Sequence, residues 1–226
     1  MTYDNIHEAV FLDRPNRFIA NILLDGAPAV CHVKNTGRCR ELLVPGARVL
    51  VQRASNPGRR TAYDLISVRK GGRLINMDAA APNAVFGEWL SAGGLGFIPD
   101  RVKPECKHGD SRFDFYFEHG SVRAFAEVKG VTLEDHGVVR FPDAPTERGV
   151  KHLHGLIRCR EEGFHAYAVF MIQMEGVKYF EPNRDTHPEF ASALRQAAEA
   201  GVHMIALDCK VTEDSLIAGM PVEIRL

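Results

Sequence analysis

Six short β-like runs, each cut off by turn residues, fall within the first 77 positions, and this density of strand ends restricts the fold more than any other feature. The runs cover residues 9–12, 18–24, 29–33, 48–54, 61–69 and 73–77. Arg14-Pro15-Asn16 and Asp25-Gly26-Ala27-Pro28 separate the first three, because Pro fixes φ while Gly and Asn accept positive φ. One helical turn is expected around Glu41-Leu42-Leu43, closed by Pro45-Gly46. Strands this short expose their edges unless the sheet closes, so an OB-like antiparallel barrel is predicted.

From residue 82 the pattern changes. A helix is predicted over 84–91, stopped by Gly93-Gly94, followed by strands at 100–106, 112–118 and 122–129. A loop rich in Pro and Gly at 134–146 leads into a helix over 147–162, a buried strand at 165–173, a helix over 188–200 and a strand at 204–209. That order implies a mixed sheet flanked by helices. The boundary falls in Ala79-Ala80-Ala81-Pro82-Asn83, which divides the chain into an OB-fold-like nucleic-acid-binding domain, 1–81, and a nuclease-like α/β domain, 82–226.

Charge narrows the choice of partners. The whole chain carries −1, so no global basic field marks a nucleic-acid protein. Residues 1–80, however, hold 12 Lys and Arg against 7 Asp and Glu, a net of +5. The five cysteines are odd in number and form no C-x-x-C pair, which argues for reduced thiols and against a zinc ribbon. With no basic flank before an apolar segment at the N-terminus and no long apolar window, a cytoplasmic protein without a membrane partner is expected.

The segment that can carry chemistry is Ser111-Arg112-Phe113-Asp114-Phe115-Tyr116-Phe117, then a turn at His119-Gly120, then Ala124-Phe125-Ala126-Glu127-Val128-Lys129-Gly130. Alternation along a strand sends Glu127 and Lys129 to the same side, and puts Asp114 opposite Phe113 and Phe115, where it can sit beside Glu127. Two carboxylates so placed can hold magnesium through oxygen, and the ammonium of Lys129 can orient water or offset phosphate charge. Glu88 on the first helix is a further metal ligand in this reading, and Gln173 at the end of the later strand orients water or phosphate. An exposed Glu-x-Lys pair on a strand is more often a weak solvated pair. Here the two charges interrupt an apolar run, where leaving them unpaired would be costly.

Asp13-Arg14-Pro15-Asn16-Arg17-Phe18, His32-Val33-Lys34-Asn35-Thr36-Gly37-Arg38, Ser111-Arg112-Phe113-Asp114, Glu127-Val128-Lys129-Gly130-Val131-Thr132-Leu133 and Phe141-Pro142-Asp143-Ala144-Pro145-Thr146-Glu147-Arg148-Gly149 together strongly resemble the sugar fermentation stimulation protein A (SfsA) family over essentially the whole chain. The resemblance implies an N-terminal OB-fold domain and a C-terminal domain similar to PD-(D/E)xK nucleases. It also implies DNA binding without firm sequence preference and a link to regulation of sugar metabolism. In that pattern Asp114 takes the acidic position on one strand, Glu127 and Lys129 take the E-x-K positions on the next, and Glu88 is the helix acid, with Glu105 competing for that place. The chain departs from the pattern in having Phe113 before Asp114 rather than proline, a residue that contributes no ligand.

Local basic groups supply a route to DNA. Arg14, Arg17, Lys34 and Arg38 on the barrel can neutralise phosphates, and Phe18 can stack on a base. Arg148 and Lys151 lie at the start of the second helix, which Thr146 can cap, and His152 can line the same cleft. A zinc site from His152, His154 and Cys159 lacks a matching ligand set. Two readings remain: a DNA-binding protein with a regulatory role in sugar metabolism, and a magnesium-dependent nuclease. Whether the chain acts as a homodimer is open at this level.

Overall fold

The computed structural model describes residues 1–35, 37–56 and 58–226; Thr36, part of one of the motifs above, and Pro57 lie outside the described residues. The first strands are β1 (Ile6–Asn16), β2 (Ile19–Leu24), β3 (Ala27–Val33), β4 (Arg48–Arg53), β5 (Tyr63–Lys70) and β6 (Arg73–Asn76). They run in the order β3-β2-β1-β4-β5-β6, and parallel pairing of β3 with β5 through Cys31↔Tyr63 and Val33↔Leu65 closes the first five into a barrel. Closure needs a bent strand shared by two neighbours. β1 supplies it, with register shifts after Phe11 and after Asp13 while it pairs with both β2 and β4. Alternation then points Phe11, Ala20, Ile22, Cys31, Val33, Val49, Val51 and Leu65 into a common core. The expected turn forms as Leu43 N donates to Cys39 O at 2.9 Å, which adds Cys39 and Leu42 to that core.

The second domain contains α1 (Ala81–Ser91), β7 (Arg101–His108), β8 (Ser111–His119), β9 (Val122–Val131), β10 (Leu133–Asp135), β11 (Val138–Phe141), α2 (Glu147–Glu161), β12 (His165–Ile172), β13 (Tyr179–Pro182), α3 (Pro188–Glu199), β14 (His203–Val211), β15 (Leu216–Pro221) and β16 (Glu223–Ile224). Its main sheet has the order β15-β14-β12-β9-β8-β7, with β12 parallel to β9 and to β14. α1 packs on one face against Ala124, Ala126 and Val128; α2 and α3 cover Phe125 and Val131 on the other. α1 begins at Ala81, ahead of the expected 84, because Pro82 in its first turn forfeits no hydrogen bond.

A second sheet, β10-β11-β13-β16, forms where a loop was expected over 134–146. β11 pairs in parallel with β13, some forty positions later, and such a partner leaves no local signal. The edge strand β15 was likewise not anticipated.

The two domains are joined by polar contacts. Asn76 N donates to Gln173 O at 2.9 Å, and Gln173 Nε2 donates to Asn76 Oδ1 at 2.8 Å and to Asp78 O at 3.1 Å. Lys70 and Arg73 from the barrel both reach Glu134. No helix among the described residues is long and apolar enough to cross a membrane.

Candidate functional site

Glu127 lies where the sheet buries its centre. Side chains 125, 127, 129 and 131 of β9 face α2, so Glu127 sits under that helix and is only 4% exposed. α2 comes close because Gly155 faces β8: a Cβ there would stand 2.7 Å from Ser111 Oγ and 3.0 Å from Phe113 Cζ. The buried stripe of α2, Gly149, His152, Leu153, Leu156 and Cys159, therefore delivers His152 to the carboxylate. Both Lys129 Nζ and His152 Nδ1 contact the same oxygen, Glu127 Oε1. Glu127 Oε2 is buried and has no partner among the described residues. Burial alone would raise the Glu127 carboxyl, but the bond from His152 and the charge of Lys129 outweigh it and hold the group below the ordinary carboxylate range.

Asp114 reaches the site through a gap in the pairing of its strand. Pairing of β8 with β9 runs only from His119↔Val122 to Phe115↔Ala126, and in β7 the left-handed Glu105 is skipped between Pro104↔Phe115 and Cys106↔Phe113. Phe113 consequently packs in the α2-side cluster and Phe115 in the α1-side cluster, so simple alternation around Asp114 is corrected. The Asp114 side chain fills the gap: Oδ2 accepts from Val128 N at 2.7 Å and Oδ1 from Asn83 Nδ2 at 2.9 Å. Burial, reinforced by the negative charge of Glu127, raises its carboxyl pKa. Asp114, Glu127 and Lys129 are thus brought together. The raised Asp114 and the partnerless Glu127 oxygen suit a divalent cation, which takes oxygen ligands.

The acids proposed to complete a metal site are not added to this pair. Glu88 is 59% exposed in its side chain and pairs with the N-terminal amine at 2.7 Å. Asn83 and Gly87, one turn apart, face the Asp114 pocket, and the next residue on a helix points about 100° away. Glu105 does line that pocket, yet its carboxylate is held by Arg112 Nε at 2.7 Å. No cluster of three His, Cys, Asp or Glu forms among the described residues, so the zinc set His152, His154 and Cys159 is also not assembled. Gln173 is corrected as a phosphate donor, because its amide hydrogens are committed to Asn76 and Asp78 at the domain junction.

The basic residues divide into two groups. Arg14 is structural: NH1 donates to Gly37 O and Arg38 O, both at 3.0 Å, and NH2 to Arg17 O at 2.6 Å and Asn35 O at 2.7 Å. Lys34 is paired with the buried Asp78. Neither is free for phosphate. Arg17, Arg38 and Arg40 are exposed and line an open groove of about 520 Å³ between the barrel and Ala144 of the second domain. Arg17 lies over the ring of Phe18 at 5.7 Å, and Phe18 is 50% exposed. Lys151 is exposed and 3.7 Å from Asp110. Arg148 Nε lies 3.4 Å from His152 Nε2, on a helix that Thr146 caps by accepting from Gly149 N at 3.1 Å.

Sequence reading missed Asn83, which holds Asp114. Arg40, one of the basic residues of the barrel, stands in the groove, and His152, expected only to line the cleft, holds Glu127. The signal for His152 was available: a polar residue in the buried stripe of an amphipathic helix must meet a polar group across the interface. Asn83 carried no such signal, since its role depends on the split between β8 and β9.

A closed OB-type barrel joined to an α/β domain with a buried carboxylate–lysine–histidine cluster defines a two-domain class in which the barrel and the acidic site are separate devices. Residues 12–77 match the SfsA N-terminal OB domain and residues 80–215 match the Sugar fermentation stimulation protein RE domain, so the chain belongs to the SfsA family. It is 56% identical over 226 residues to the sugar fermentation stimulation protein homolog of Desulfitobacterium hafniense (strain Y51), covering 100% of this chain and 99% of that one. The homolog of Clostridium beijerinckii is 55% identical over 216 residues, covering 96% of each. Among solved structures, Pyrococcus furiosus SfsA in complex with Ca2+ superposes with a TM-score of 0.89 at 26% identity, covering 100% of this chain and 98% of that one.

Proposed function

We propose that this protein binds DNA, without strong sequence preference, along the groove lined by Arg17, Arg38 and Arg40. The observation that carries this reading is that three exposed guanidinium groups share one open groove beside an exposed aromatic ring. Guanidinium groups neutralise phosphates and release counterions whatever the sequence, while an aromatic face accepts any base. The relatives' name connects them with sugar fermentation, and a regulatory role in sugar metabolism through DNA binding is the corresponding biological proposal. Fluorescence anisotropy with labelled single-stranded and duplex DNA at several salt concentrations tests it. Salt-sensitive binding supports the reading; binding unchanged by replacing all three arginines with alanine removes it.

A second reading, a magnesium-dependent nuclease, is favoured by Glu127 Oε2, a buried charged oxygen with no partner beside the raised carboxyl of Asp114. Asp114 and Glu127 would hold the cation, and the solved relative's complex with Ca2+ is consistent with an oxygen-ligand site. When bound, such a cation acidifies water and offsets charge on a phosphate. Lys129 keeps a positive charge at the same carboxylate, where it can orient water or screen a phosphodiester. Incubation of DNA with magnesium, manganese or chelator, alongside Glu127→Ala and Lys129→Ala, tests this reading. Metal-dependent cleavage lost in both variants supports it, and absence of cleavage with either metal leaves a binding protein.

A further inference from the structure

A carboxylate with two donors usually receives one on each oxygen. At Glu127 both fall on Oε1, because Lys129 comes from two residues along the same strand while His152 comes down from α2. The histidine is itself held. Its ring is 5% exposed, packs edge-on to Phe113 with centroids 6.2 Å apart, and is fixed in height by the close seat of Gly155. Arg148 Nε lies 3.4 Å from its other nitrogen, Nε2. An arginine can only donate, so Nε2 faces it as the acceptor and Nδ1 is the nitrogen that donates to Glu127.

From this arrangement we infer that His152 is a positioning residue for a divalent-cation site: its Nδ1–H fixes the Glu127 carboxylate so that Oε2, left without a partner, stays presented as a ligand beside Asp114. The inference rests on the cation reading of Asp114 and Glu127, and it assigns the orientation of that ligand to a side chain that does not itself touch the cation. Ligand carboxylates held by outer hydrogen bonds bind metal more tightly because the ligand atom is already in place.

The probe is Mn2+ alone, titrated into the full chain and followed both by electron paramagnetic resonance and by calorimetry. The variants are His152→Ala, His152→Asn and Glu127→Gln, each with a circular dichroism melt to show that it is folded. Asparagine places an N–H close to where Nδ1–H stood, so it restores the bond without the ring. Wild type is expected to bind Mn2+, Glu127→Gln to lose it, His152→Ala to bind about tenfold or more weakly, and His152→Asn to return to within about threefold of wild type. If Glu127→Gln abolishes binding while His152→Ala binds like wild type, the positioning role is overturned and the cation reading stands. If His152→Asn is as weak as His152→Ala while folded, the donor is not what matters and the inference is overturned. If wild type binds no Mn2+ at millimolar concentration, the cation reading fails first and takes this inference with it.

Discussion

Arg73 and Glu134 meet across the domain junction, with NH1 donating to Oε1 at 2.6 Å while Lys70 Nζ reaches Oε2 at 3.0 Å and the Glu134 backbone oxygen at 2.6 Å. Glu134 also accepts from Gly137 N at 2.6 Å, so one buried carboxylate ties the barrel to the β10–β11 turn. Burial would raise its carboxyl, but the Gly137 N–H and the Lys70 and Arg73 charges hold it below the ordinary range.

A carboxylate with a lowered folded-state pKa contributes stability above its unfolded value, about 4.3, and loses it as pH falls through the lower folded value. Glu134→Gln should therefore be less stable than wild type at neutral pH, by about 1–3 kcal/mol, since the two cations are a third exposed and partly screened. The deficit should vanish in acid. Urea unfolding of both proteins between pH 7 and pH 3 checks this; a deficit that persists below the folded pKa would exclude the ion pairs as its source.

Gln173 is a second tie between the domains, and Gly130 makes room for it. A Cβ on residue 130 would stand 2.6 Å from Gln173 Oε1 and 2.7 Å from Pro82 Cγ. Gly130→Ala is expected to cost about 1–3 kcal/mol by overpacking. Gln173→Ala should cost a similar amount by removing the two hydrogen bonds to Asn76 Oδ1 and Asp78 O and opening a cavity in a buried junction. Denaturant midpoints measure both.

The arginines of the barrel should separate by role. Arg17→Ala, Arg38→Ala and Arg40→Ala are each expected to weaken DNA binding uniformly across sequences and to lower the slope of log affinity against log salt by about 1, with little change in melting temperature. Arg14→Ala removes four hydrogen bonds to carbonyls and should lower the melting temperature first. Binding isotherms of the folded Arg14→Ala protein that show an unchanged slope would support this division.

Lys129→Met tests whether the groove and the carboxylate cluster are independent. Lys129 touches Glu127 and does not line the groove of Arg17, Arg38 and Arg40. DNA affinity without added metal should stay within about threefold of wild type, while any metal-dependent cleavage disappears. Anisotropy and gel assays on one preparation compare the two quantities.

The sequence by itself determined the barrel, the helices and the pairing of Glu127 with Lys129. These rest on local rules: strands ended by Arg14-Pro15-Asn16 and Asp25-Gly26-Ala27-Pro28, caps such as Thr146, and a two-residue alternation that puts positions 127 and 129 on one side. Tertiary structure decided what those residues face. The break opposite Glu105 swung Asp114 onto Val128 and Asn83, and the helix phase of α1 carried Glu88 away to the N-terminal amine. Arg14 and Lys34 look like free cations in a sequence, yet the carbonyls of Asn35, Gly37 and Arg38 and the carboxylate of Asp78 consume them. A side chain's type is local, but its hydrogen-bond partner is fixed by chain segments far away, and the partner decides whether a charge is structural or free to act.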